Sequence, residues 1–319
     1  MLNIMNLSNQ RLVVFGFGAQ GKAQTLNLKD SSKNISVYLR PDSPKTSLVN
    51  ENNIPIFFDY KEACLNADII SMLIPDGEQP KVWQQIEPYL KDNTTVIFAH
   101  GFNIHYKLIK PKTNINIALV APLAQGEAVR ENFINGQGVP TLISLVESSD
   151  EVMQRVLDFA KGVAGKGPFI QTTFAEETET DLFAEQAILC GGLFELIRAG
   201  FDTLVESGYN PEIAYFCCLK EVKALANLVN QFGICGTREQ ISDVALFGDL
   251  TRGTRIINNN VRDEMKILIG EIRSGTFSDE FMSDKLNGNP LLRKLLDKDK
   301  NHPIENLHKR FSTAKNFVF

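Results

Sequence analysis

Short apolar segments alternate with helix-length segments through the first half of the chain, and the alternation stops at about Thr172. Strands are predicted where runs rich in Val, Ile and Phe are bounded by turn residues: RLVVFGFG, NISVYLR, ADIISMLI, TTVIFAHG, INIALVAP and GVPTLISLV. Strands and helices in alternation favour a doubly wound parallel sheet of the Rossmann type, with helices on both faces. The sequence therefore predicts an α/β domain at the start of the chain.

The chain after Thr172 has the spacing of long helices. The clearest patterns are TETDLFAEQAILCGGLFELIRAGFDTLVESG, NPEIAYFCCLKEVKALANLVNQFG and NNNVRDEMKILIGEIRSG. Asn210 is expected to cap the second helix, Pro211 to occupy its first turn and Gly233 to end it. A chain of 319 residues can hold two hydrophobic cores. We predict a Rossmann domain over residues 1–172 and an all-α domain over residues 173–319.

Composition and charge exclude several classes of protein. The chain is 43% hydrophobic and 22% charged, which is typical of a folded globular protein, and its net charge of -5 argues against a general nucleic-acid binder. No apolar run reaches the length of a membrane span, and the start MLNIMNLSNQ lacks the pattern of a secretory or transit sequence. The five cysteines match no zinc spacing. We expect a cytoplasmic protein without nucleic-acid or membrane partners.

Three glycines directly after the first predicted strand form a G-x-G-x-x-G pattern. The first permits a tight turn, the second lets the backbone approach a pyrophosphate, and the third allows the following helix to pack closely on the strand. The amino end of that helix then faces the anion. The sequence predicts a dinucleotide site built on the loop Gly16, Phe17, Gly18, Ala19, Gln20 and Gly21.

The turn after the second predicted strand favours NADP(H) over NAD(H). An NAD site usually places Asp or Glu here to hold the ribose 2′-hydroxyl. This chain instead offers Arg40, Ser43 and Lys45 in the segment LRPDSPK. Arginine can grip a 2′-phosphate through two hydrogen bonds, and lysine adds a second positive charge. Asp42 is the opposing charge in this segment, and we expect it to face solvent.

Three carboxylates repeat at helical spacing in the second half of the chain. Glu177, Asp181 and Glu185 are four residues apart and therefore share one face of a helix. Such a row is usually solvated, but the neighbouring residues include Leu182, Phe183, Ala184, Ala187, Ile188, Leu189 and two glycines, so we expect a largely buried environment. Buried carboxylates need partners, and Mg²⁺ binds a few carboxylates together with water and substrate oxygens.

Four segments of this chain resemble the ketol-acid reductoisomerase family. VVFGFGAQGKAQTLNLKDS is similar to the family's cofactor loop, and FAHGFNIHY to its catalytic histidine segment. TTFAEETETDLFAEQAILCGGLFELIRAGFDTLVESGYNPEIAYF is similar to the signature of the helical domain, and ISDVALFGD to the substrate-binding serine segment. The resemblance extends from about residue 11 to about residue 280, and the length fits the family's short form, which has one helical domain.

The resemblance implies an activity, two cofactors and an assembly. Members of the family use NADPH and two Mg²⁺ ions. They isomerise 2-acetolactate or 2-aceto-2-hydroxybutyrate by alkyl migration and reduce the product to a 2,3-dihydroxy acid, a step towards valine, leucine and isoleucine. Their helical domains are knotted and pair in a homodimer, so that each active site draws on two subunits.

The resemblance also implies roles for individual residues. His100 follows the end of a predicted strand, where catalytic groups of open α/β sheets gather. The implied roles are catalysis for His100, substrate binding for Ser242, cofactor binding for Asp76, Gln79 and Gly126, and metal binding for Asp181 and Glu185. Asp181 is expected to bridge both metals and Glu185 to bind one.

The chain departs from the family at the expected reaction centre. The second helix should supply two glutamates to the second metal, but the matching residues are Cys217 and Glu221, and a thiol suits Mg²⁺ poorly. Lys220 stands where the family often has histidine. The family's active-site lysine aligns with Leu123, and Glu127 replaces a common histidine or threonine. Because isomerisation depends on two metals, we expect these changes to impair it more than reduction.

The sequence thus predicts an NADPH-dependent oxidoreductase of the ketol-acid reductoisomerase type, acting on a small 2-keto or 2-hydroxy acid. Two alternatives remain open. The protein could reduce another 2-keto acid or an imine without isomerase activity, or it could be a non-catalytic NADP(H)-binding homologue. Turnover of 2-acetolactate, compared with turnover of a simple 2-keto acid, would separate the three.

Overall fold

A computed structural model of the chain describes residues 7, 9–31, 34–147 and 149–313. The chain divides into two compact units, Met1–Thr180 and Asp181–Phe319. Most of the N-terminal sequence used to predict the compartment lies outside the described residues. None of the helices in the described part of the chain combines the length and the apolar character that a membrane crossing requires. The domain boundary at residue 172 stays a prediction.

The first unit contains an eight-stranded sheet in the order β3-β2-β1-β4-β5-β6-β7-β8. The strands are β1 Leu12–Phe15, β2 Ile35–Tyr38, β3 Ile56–Phe57, β4 Ile69–Met72, β5 Thr95–Phe98, β6 Asn116–Pro122, β7 Thr141–Leu145 and β8 Phe169–Gln171. Each of the six predicted strands is present. The order of the first six strands is that of a dinucleotide-binding fold, in which ligands bind outside the carboxyl ends of the strands where the strand order reverses.

Two features of the sheet differ from the prediction. β7 runs antiparallel to β6, with Pro122 opposite Thr141, whereas the other strand pairs are parallel. The predicted parallel sheet is therefore confirmed for the other strand pairs, and the β6–β7 pair departs from it. β3 and β8 were missed, because two or three residues are too few to show a strand period.

Helices cover both faces of this sheet. They are α1 Ala19–Ser31, α2 Thr46–Glu51, α3 Tyr60–Leu65, α4 Gln79–Ile86, α5 Phe102–His105, α6 Gly126–Ile134 and α7 Asp150–Ala164. Leu12 and Val14 belong to one apolar cluster, and Val13 and Phe15 belong to another. Successive residues of a strand point to opposite faces, so the uniformly apolar β1 contributes to both layers and is buried throughout.

The buried residue Asn27 holds α1 against its neighbouring helices. Its Nδ2 donates to Val163 O of α7 at 2.6 Å, and its Oδ1 accepts from Arg130 of α6 at 2.8 Å. The same arginine pairs with Asp30 at 2.7 Å. These contacts fix the direction of α1, whose first turn follows the glycine loop.

The second unit is helical. A helix α8, Phe174–Ala184, enters it and is followed by α9 Gly191–Glu206, α10 Pro211–Tyr215, α11 Val222–Arg238, α12 Asp243–Ile256, α13 Asn259–Ser274, α14 Thr276–Leu286, α15 Pro290–Lys300 and α16 Pro303–Thr313. Its buried cluster is centred on Phe201, Ala214, Tyr215 and Ile304. The all-α character predicted for this half of the chain is confirmed.

Both ends of the second predicted helix lie where the sequence places them. The Asn210 side chain accepts from Glu212 N at 2.8 Å and Pro211 begins α10, so both predicted positions are confirmed. Gly233 has a φ of +67° and a ψ of 178°, which lie outside the helical region, so the helix that begins at Val222 ends there and a second helical segment follows up to Arg238. The expectation that Gly233 ends the helix is confirmed, and glycine suits this position because it tolerates a positive φ.

Candidate functional site

The loop between β1 and α1 has the geometry that a pyrophosphate site requires. Gly16 has a φ of +101°, and a Cβ added there would lie 2.7 Å from Leu73 O. A Cβ on Gly21 would lie 2.6 Å from Gly16 O, so the first turn of α1 packs directly on the loop. A Cβ on Gly18 would meet no atom within 4 Å, which leaves the backbone open to a ligand. The Phe17 side chain is buried in the core, so only its backbone can face that space.

The turn between β6 and α6 packs against this loop. Gln20 Nε2 donates to Ala124 O at 2.7 Å, and a Cβ on Gly126 would overlap Ala19 O. Two of the predicted cofactor residues, Gln20 and Gly126, are thereby placed side by side at one edge of the sheet. Their contact with a cofactor stays a prediction.

The turn after β2 presents its basic side chains to solvent at the same edge of the sheet. β2 pairs with β1 in register, with Tyr38 opposite Phe15. Ser43 N donates to Arg40 O at 3.0 Å, and Lys45 N donates to Ser43 Oγ at 3.3 Å, which makes a compact turn. Arg40 and Lys45 are exposed. Asp42 is exposed too, as expected.

The turn after β4 and the segment after β5 bring three predicted residues together. Gln79 Nε2 donates to Ile74 O at 2.9 Å and to Asp76 Oδ1 at 3.1 Å. The other carboxylate oxygen, Asp76 Oδ2, lies 3.7 Å from His100 Nδ1. β4 and β5 are adjacent parallel strands, so their carboxyl ends place the aspartate and the histidine next to each other.

Glu177 is a fully buried carboxylate beside His100. Its Oε2 accepts from Gly101 N at 2.8 Å and from Thr178 Oγ1 at 3.2 Å. The ligand atoms of His100 and Glu177 lie within 4.8 Å of each other. Asp181 lies one turn further along the same helix. A side chain at Gly101 would overlap Thr178, so the close approach of α8 requires glycine after His100.

Sequence reasoning did not single out two of these residues for the site. From the sequence, Glu177 was noted only as one of three carboxylates on a helix face, and Asn103 was not considered. Asn103 is fully buried and donates through Nδ2 to Asp76 O at 3.1 Å and to Gln79 Oε1 at 2.9 Å. The glycine that follows His100 is the signal in the sequence for a close contact at this point, but its partner is more than seventy residues away.

The residues after His100 lie in a partly dehydrated region. Burial lowers the pKa of His105, and the nearby Glu179 opposes this effect. His105 Nε2 lies 3.5 Å from Glu179 Oε1. Burial likewise raises the pKa of Tyr106, with Glu179 adding to the rise. Low hydration strengthens electrostatic interactions among the neighbouring groups.

The acidic helix changes geometry at Glu185. Residues Glu185–Leu189 form a π-helical turn, in which Cys190 N donates to Glu185 O at 2.9 Å. Side chains at Gly191 and Gly192 would overlap carbonyl oxygens five residues earlier, so the glycine pair accommodates the wide turn. Short π-helical turns frequently occur at functional sites.

The expectation of a largely buried environment for the acidic helix was wrong for its second half. Glu177 and Leu182 are buried and Asp181 is half-buried, but Glu185 is exposed. Ile188 is 52% exposed, and its neighbours in the π-helical turn are also accessible. Apolar composition alone did not determine burial, because the chain places this part of the helix at a surface.

A second π-helical turn contains the residue that departs from the family pattern. Phe216–Lys220 form this turn, and Glu221 N donates to Phe216 O at 3.2 Å. Cys217 and Glu221 are exposed. Burial raises the pKa of Cys218, and the nearby Cys217 and Glu221 raise it further, so the three groups interact. The ammonium of Lys220 lies 6.0 Å from the centre of the Tyr215 ring.

The remaining predicted residues lie at the ends of other elements. Ser242 caps α12 and accepts from Ala245 N at 3.3 Å. Leu123 follows β6 and its side chain is 51% exposed, while Glu127 lies in the exposed first turn of α6. An accessible apolar side chain therefore occupies the position where the resemblance places a lysine.

Two family models match this chain. The family model described as "Acetohydroxy acid isomeroreductase, NADPH-binding domain" matches residues 6–167. The model described as "Ketol-acid reductoisomerase, C-terminal domain" matches residues 174–316. Together the two models account for almost the whole chain.

Two curated relatives and one solved structure match this chain over almost its whole length. The ketol-acid reductoisomerase (NADP(+)) of Pyrobaculum arsenaticum is 46% identical over 302 residues, which cover 94% of this chain and 92% of that protein. The Pyrobaculum aerophilum protein of the same name matches with equal identity and coverage. The structure of an NADH-preferring ketol-acid reductoisomerase from an uncultured archean gives a TM-score of 0.93 at 34% identity, over 98% of this chain and 97% of that one. The chain belongs to the ketol-acid reductoisomerase family.

Proposed function

We propose that this protein is an NADPH-dependent ketol-acid reductoisomerase that converts 2-acetolactate-type acids into 2,3-dihydroxy acids for branched-chain amino-acid biosynthesis. The observation that carries the proposal is the grouping of Asp76, His100 and Glu177 at the carboxyl edge of the sheet that also carries the glycine loop. In open α/β sheets this edge binds both the dinucleotide and the substrate. Family membership agrees with the proposal.

Carboxylates of α8 fit a magnesium site. Glu177 and Asp181 are one turn apart on one helix, and a buried carboxylate such as Glu177 needs compensation by hydrogen bonds or a cation. We propose Asp181 and Glu185 as metal ligands, with Glu221 as a ligand from the second helix. Cys217 does not fit Mg²⁺, because a soft thiol is a poor ligand for a hard cation.

The residues at the carboxyl edge have distinct parts in the proposed reaction. When bound, Mg²⁺ supplies Lewis-acid polarisation of the substrate oxygens and NADPH supplies the hydride. Asp76 Oδ2 faces His100 Nδ1 at 3.7 Å, an electrostatic contact that helps to orient the imidazole ring. Glu177 holds Gly101 through its backbone N–H and thereby holds the histidine segment in place. Ser242 is proposed to bind the substrate.

A second candidate function is favoured by the two departures from the family pattern. Cys217 and the accessible Leu123 replace a metal ligand and a cation, both of which would assist alkyl migration more than hydride transfer. The second candidate is therefore a reductase of 2-keto acids, or of an imine, without isomerase activity.

Steady-state assays of NADPH oxidation separate these functions. The purified protein is assayed at saturating Mg²⁺ with 2-acetolactate, with the isomerised 3-hydroxy-2-keto acid, and with a simple 2-keto acid. The proposed function requires turnover of 2-acetolactate. Turnover of the isomerised acid or the simple acid alone would support the reductase, and turnover of none with intact NADPH binding would indicate the non-catalytic homologue.

The assembly and the compartment are also proposals. Most of the large apolar side chains that are exposed in the described residues lie in the second unit, among them Phe194, Phe247 and Leu286. Exposed apolar surface of this extent typically marks an interaction surface, which supports the expected homodimer. A cytoplasmic location, argued from the sequence, stays a prediction.

A further inference from the structure

Asn103 is a fully buried polar residue to which the proposed mechanism gives no part. It lies in α5, three residues after His100, and its side chain is inaccessible to solvent. Its Nδ2 donates to Asp76 O at 3.1 Å and to Gln79 Oε1 at 2.9 Å. Both acceptors belong to the segment after β4, whereas Asn103 belongs to the segment after β5. One side-chain amide thus ties the proposed cofactor-binding segment to the histidine segment.

The hydrogen bonds continue from Asn103 to the histidine. Gln79, whose Oε1 is held by Asn103, donates through Nε2 to Asp76 Oδ1 at 3.1 Å. Asp76 Oδ2 then faces His100 Nδ1 at 3.7 Å. Asn103 therefore acts on Asp76 twice, directly at the backbone carbonyl and through Gln79 at the carboxylate. We propose that Asn103 is a positioning residue that holds Asp76 opposite His100 and Gln79 in its cofactor-binding orientation.

The other end of the Asn103 amide supports this assignment. Asn103 Oδ1 is buried and accepts no hydrogen bond from the described residues. A buried acceptor without a partner costs stability, and a leucine of similar size would not have that cost. The favourable contribution of the asparagine therefore lies in the two bonds that Nδ2 donates to the segment after β4.

Variants of Asn103 test the proposal, which rests on the proposed function. Asn103→Leu keeps the volume and removes both donors, and Asn103→Asp keeps the shape but turns an oxygen towards two acceptors. We expect Asn103→Leu to raise the Kd of NADPH and to lower kcat with 2-acetolactate, each by about tenfold per folded molecule, because two hydrogen bonds are lost. Asn103→Asp should have the larger effect.

Thr95→Val is the control. Thr95 is also fully buried and accepts from Arg155 Nη1 at 3.0 Å, but it lies at the amino end of β5, at the opposite end of the strand from His100. We expect it to lower Tm while leaving the Kd of NADPH and kcat unchanged. If Asn103→Leu lowers Tm and changes neither the Kd nor kcat, its role is only structural and the proposal is wrong.

A double-mutant cycle tests whether Asn103 acts through Gln79. Gln79→Met keeps the length of the side chain and removes the amide. If both residues belong to one network, the double variant should raise the Kd of NADPH by clearly less than the product of the two single effects. Independent, multiplicative effects would overturn the proposed route.

A wild type that binds NADPH without turning over any keto acid contradicts the proposed function alone, because the binding measurement still decides the role of Asn103. A wild type that binds no NADPH overturns both.

Discussion

At the scale of single residues, the glycines of the loop between β1 and α1 are required for different reasons. Gly21 is required by the packing of the fold, whereas glycine at position 18 would be required only by a bound ligand. A Cβ on Gly21 meets Gly16 O, whereas a Cβ on Gly18 meets nothing within 4 Å. The two substitutions to alanine therefore test different things, although both lie in one short motif. Gly21 serves helix–strand packing, and Gly18 leaves space that a pyrophosphate can use.

We expect Gly18→Ala to leave the free energy of unfolding within about 0.5 kcal/mol of wild type, because the new methyl group touches nothing. The Kd of NADPH should nevertheless rise at least roughly tenfold, because the methyl group occupies the approach to the pyrophosphate. Gly21→Ala should cost about 1–3 kcal/mol in stability through the clash with Gly16 O. Chemical denaturation and a fluorescence titration with NADPH measure both quantities. Unchanged NADPH binding in Gly18→Ala would show that the dinucleotide does not use this loop.

The basic turn after β2 leads to a prediction about the cofactor. We expect a preference for NADPH over NADH of at least about tenfold, since hydrogen bonds to a charged group contribute roughly 1.5–3 kcal/mol each. Arg40→Ala should remove most of this preference by weakening NADPH binding only. Arg262→Ala, an exposed arginine of the second unit, serves as the control. Cofactor preference varies within the family, because a related structure is that of an NADH-preferring ketol-acid reductoisomerase. Equal affinity of the wild type for both cofactors would contradict the prediction.

At the scale of elements, an ion-pair group joins the amino ends of three adjacent strands. Arg11 precedes β1, Asp68 precedes β4 and Lys91 lies just before β5. Asp68 accepts from Arg11 Nε at 3.1 Å and from Lys91 Nζ at 2.9 Å. The hydrogen bond from Arg11 is the largest of the causes that hold the pKa of Asp68 well below its usual range.

This group predicts a pH dependence of stability. Because the pKa of Asp68 is lower in the folded protein than in the unfolded chain, its contribution is complete above the unfolded value of about 4 and is lost as the pH falls below it. Asp68→Asn should therefore lower Tm at pH 7, and the difference from wild type should shrink below about pH 4. The exposed Asp42→Asn is the control. A difference that stays constant over this pH range would exclude the ion pair as its cause.

The second π-helical turn leads to a prediction about chemistry. We expect the rate of isomerisation to be impaired more than the rate of reduction, because Cys217 replaces a carboxylate ligand. The double substitution Cys217→Glu with Leu123→Lys should partly restore the rate of isomerisation. Glutamate at 217 supplies a hard oxygen ligand at the spacing from Glu221 at which both can reach one ion. Lysine at 123 supplies a cation near a developing alkoxide, where such groups contribute a few kcal/mol. Lys220 lies in the same π-helical turn as Cys217, and we expect its positive charge to reduce the gain.

The measurement compares wild type and the double variant with 2-acetolactate and with the isomerised 3-hydroxy-2-keto acid at saturating Mg²⁺. The variant should gain rate with 2-acetolactate and change little with the isomerised acid. Comparable rates of the wild type with both substrates would show that the two departures are neutral.

At the scale of the whole molecule, the exposed apolar side chains of the second unit support the predicted homodimer, in which Asp181 and Glu185 of one subunit face Glu221 of the other. Co-expression of Asp181→Asn and Glu221→Gln chains tests this arrangement. Each variant alone should be inactive, and co-expressed chains should regain about a quarter of wild-type activity, because half of the dimers are mixed and each mixed dimer has one intact site. Sedimentation measures the assembly. A fully active monomer, or no recovery on co-expression, would contradict the shared site.

Local patterns in the sequence were sufficient for much of this protein. The six longer strands, the glycine loop, the cap at Asn210 and the change to an all-α region follow from residue periodicity and backbone preferences that act over a few neighbours. These features depend on what each short segment can do by itself, so one sequence is enough to predict them.

Other features were decided by contacts between residues far apart in the sequence. The direction of β7, the π-helical turns at Glu185 and Phe216, and the exposure of Ile188 depend on how segments meet. The contact of Glu177 with Gly101 and that of Asn103 with Asp76 and Gln79 join residues twenty-four to seventy-six positions apart. The sequence by itself therefore determined the elements and the types of functional side chain. Only the tertiary structure decided which of those side chains touch, because hydrogen bonding and burial act through space.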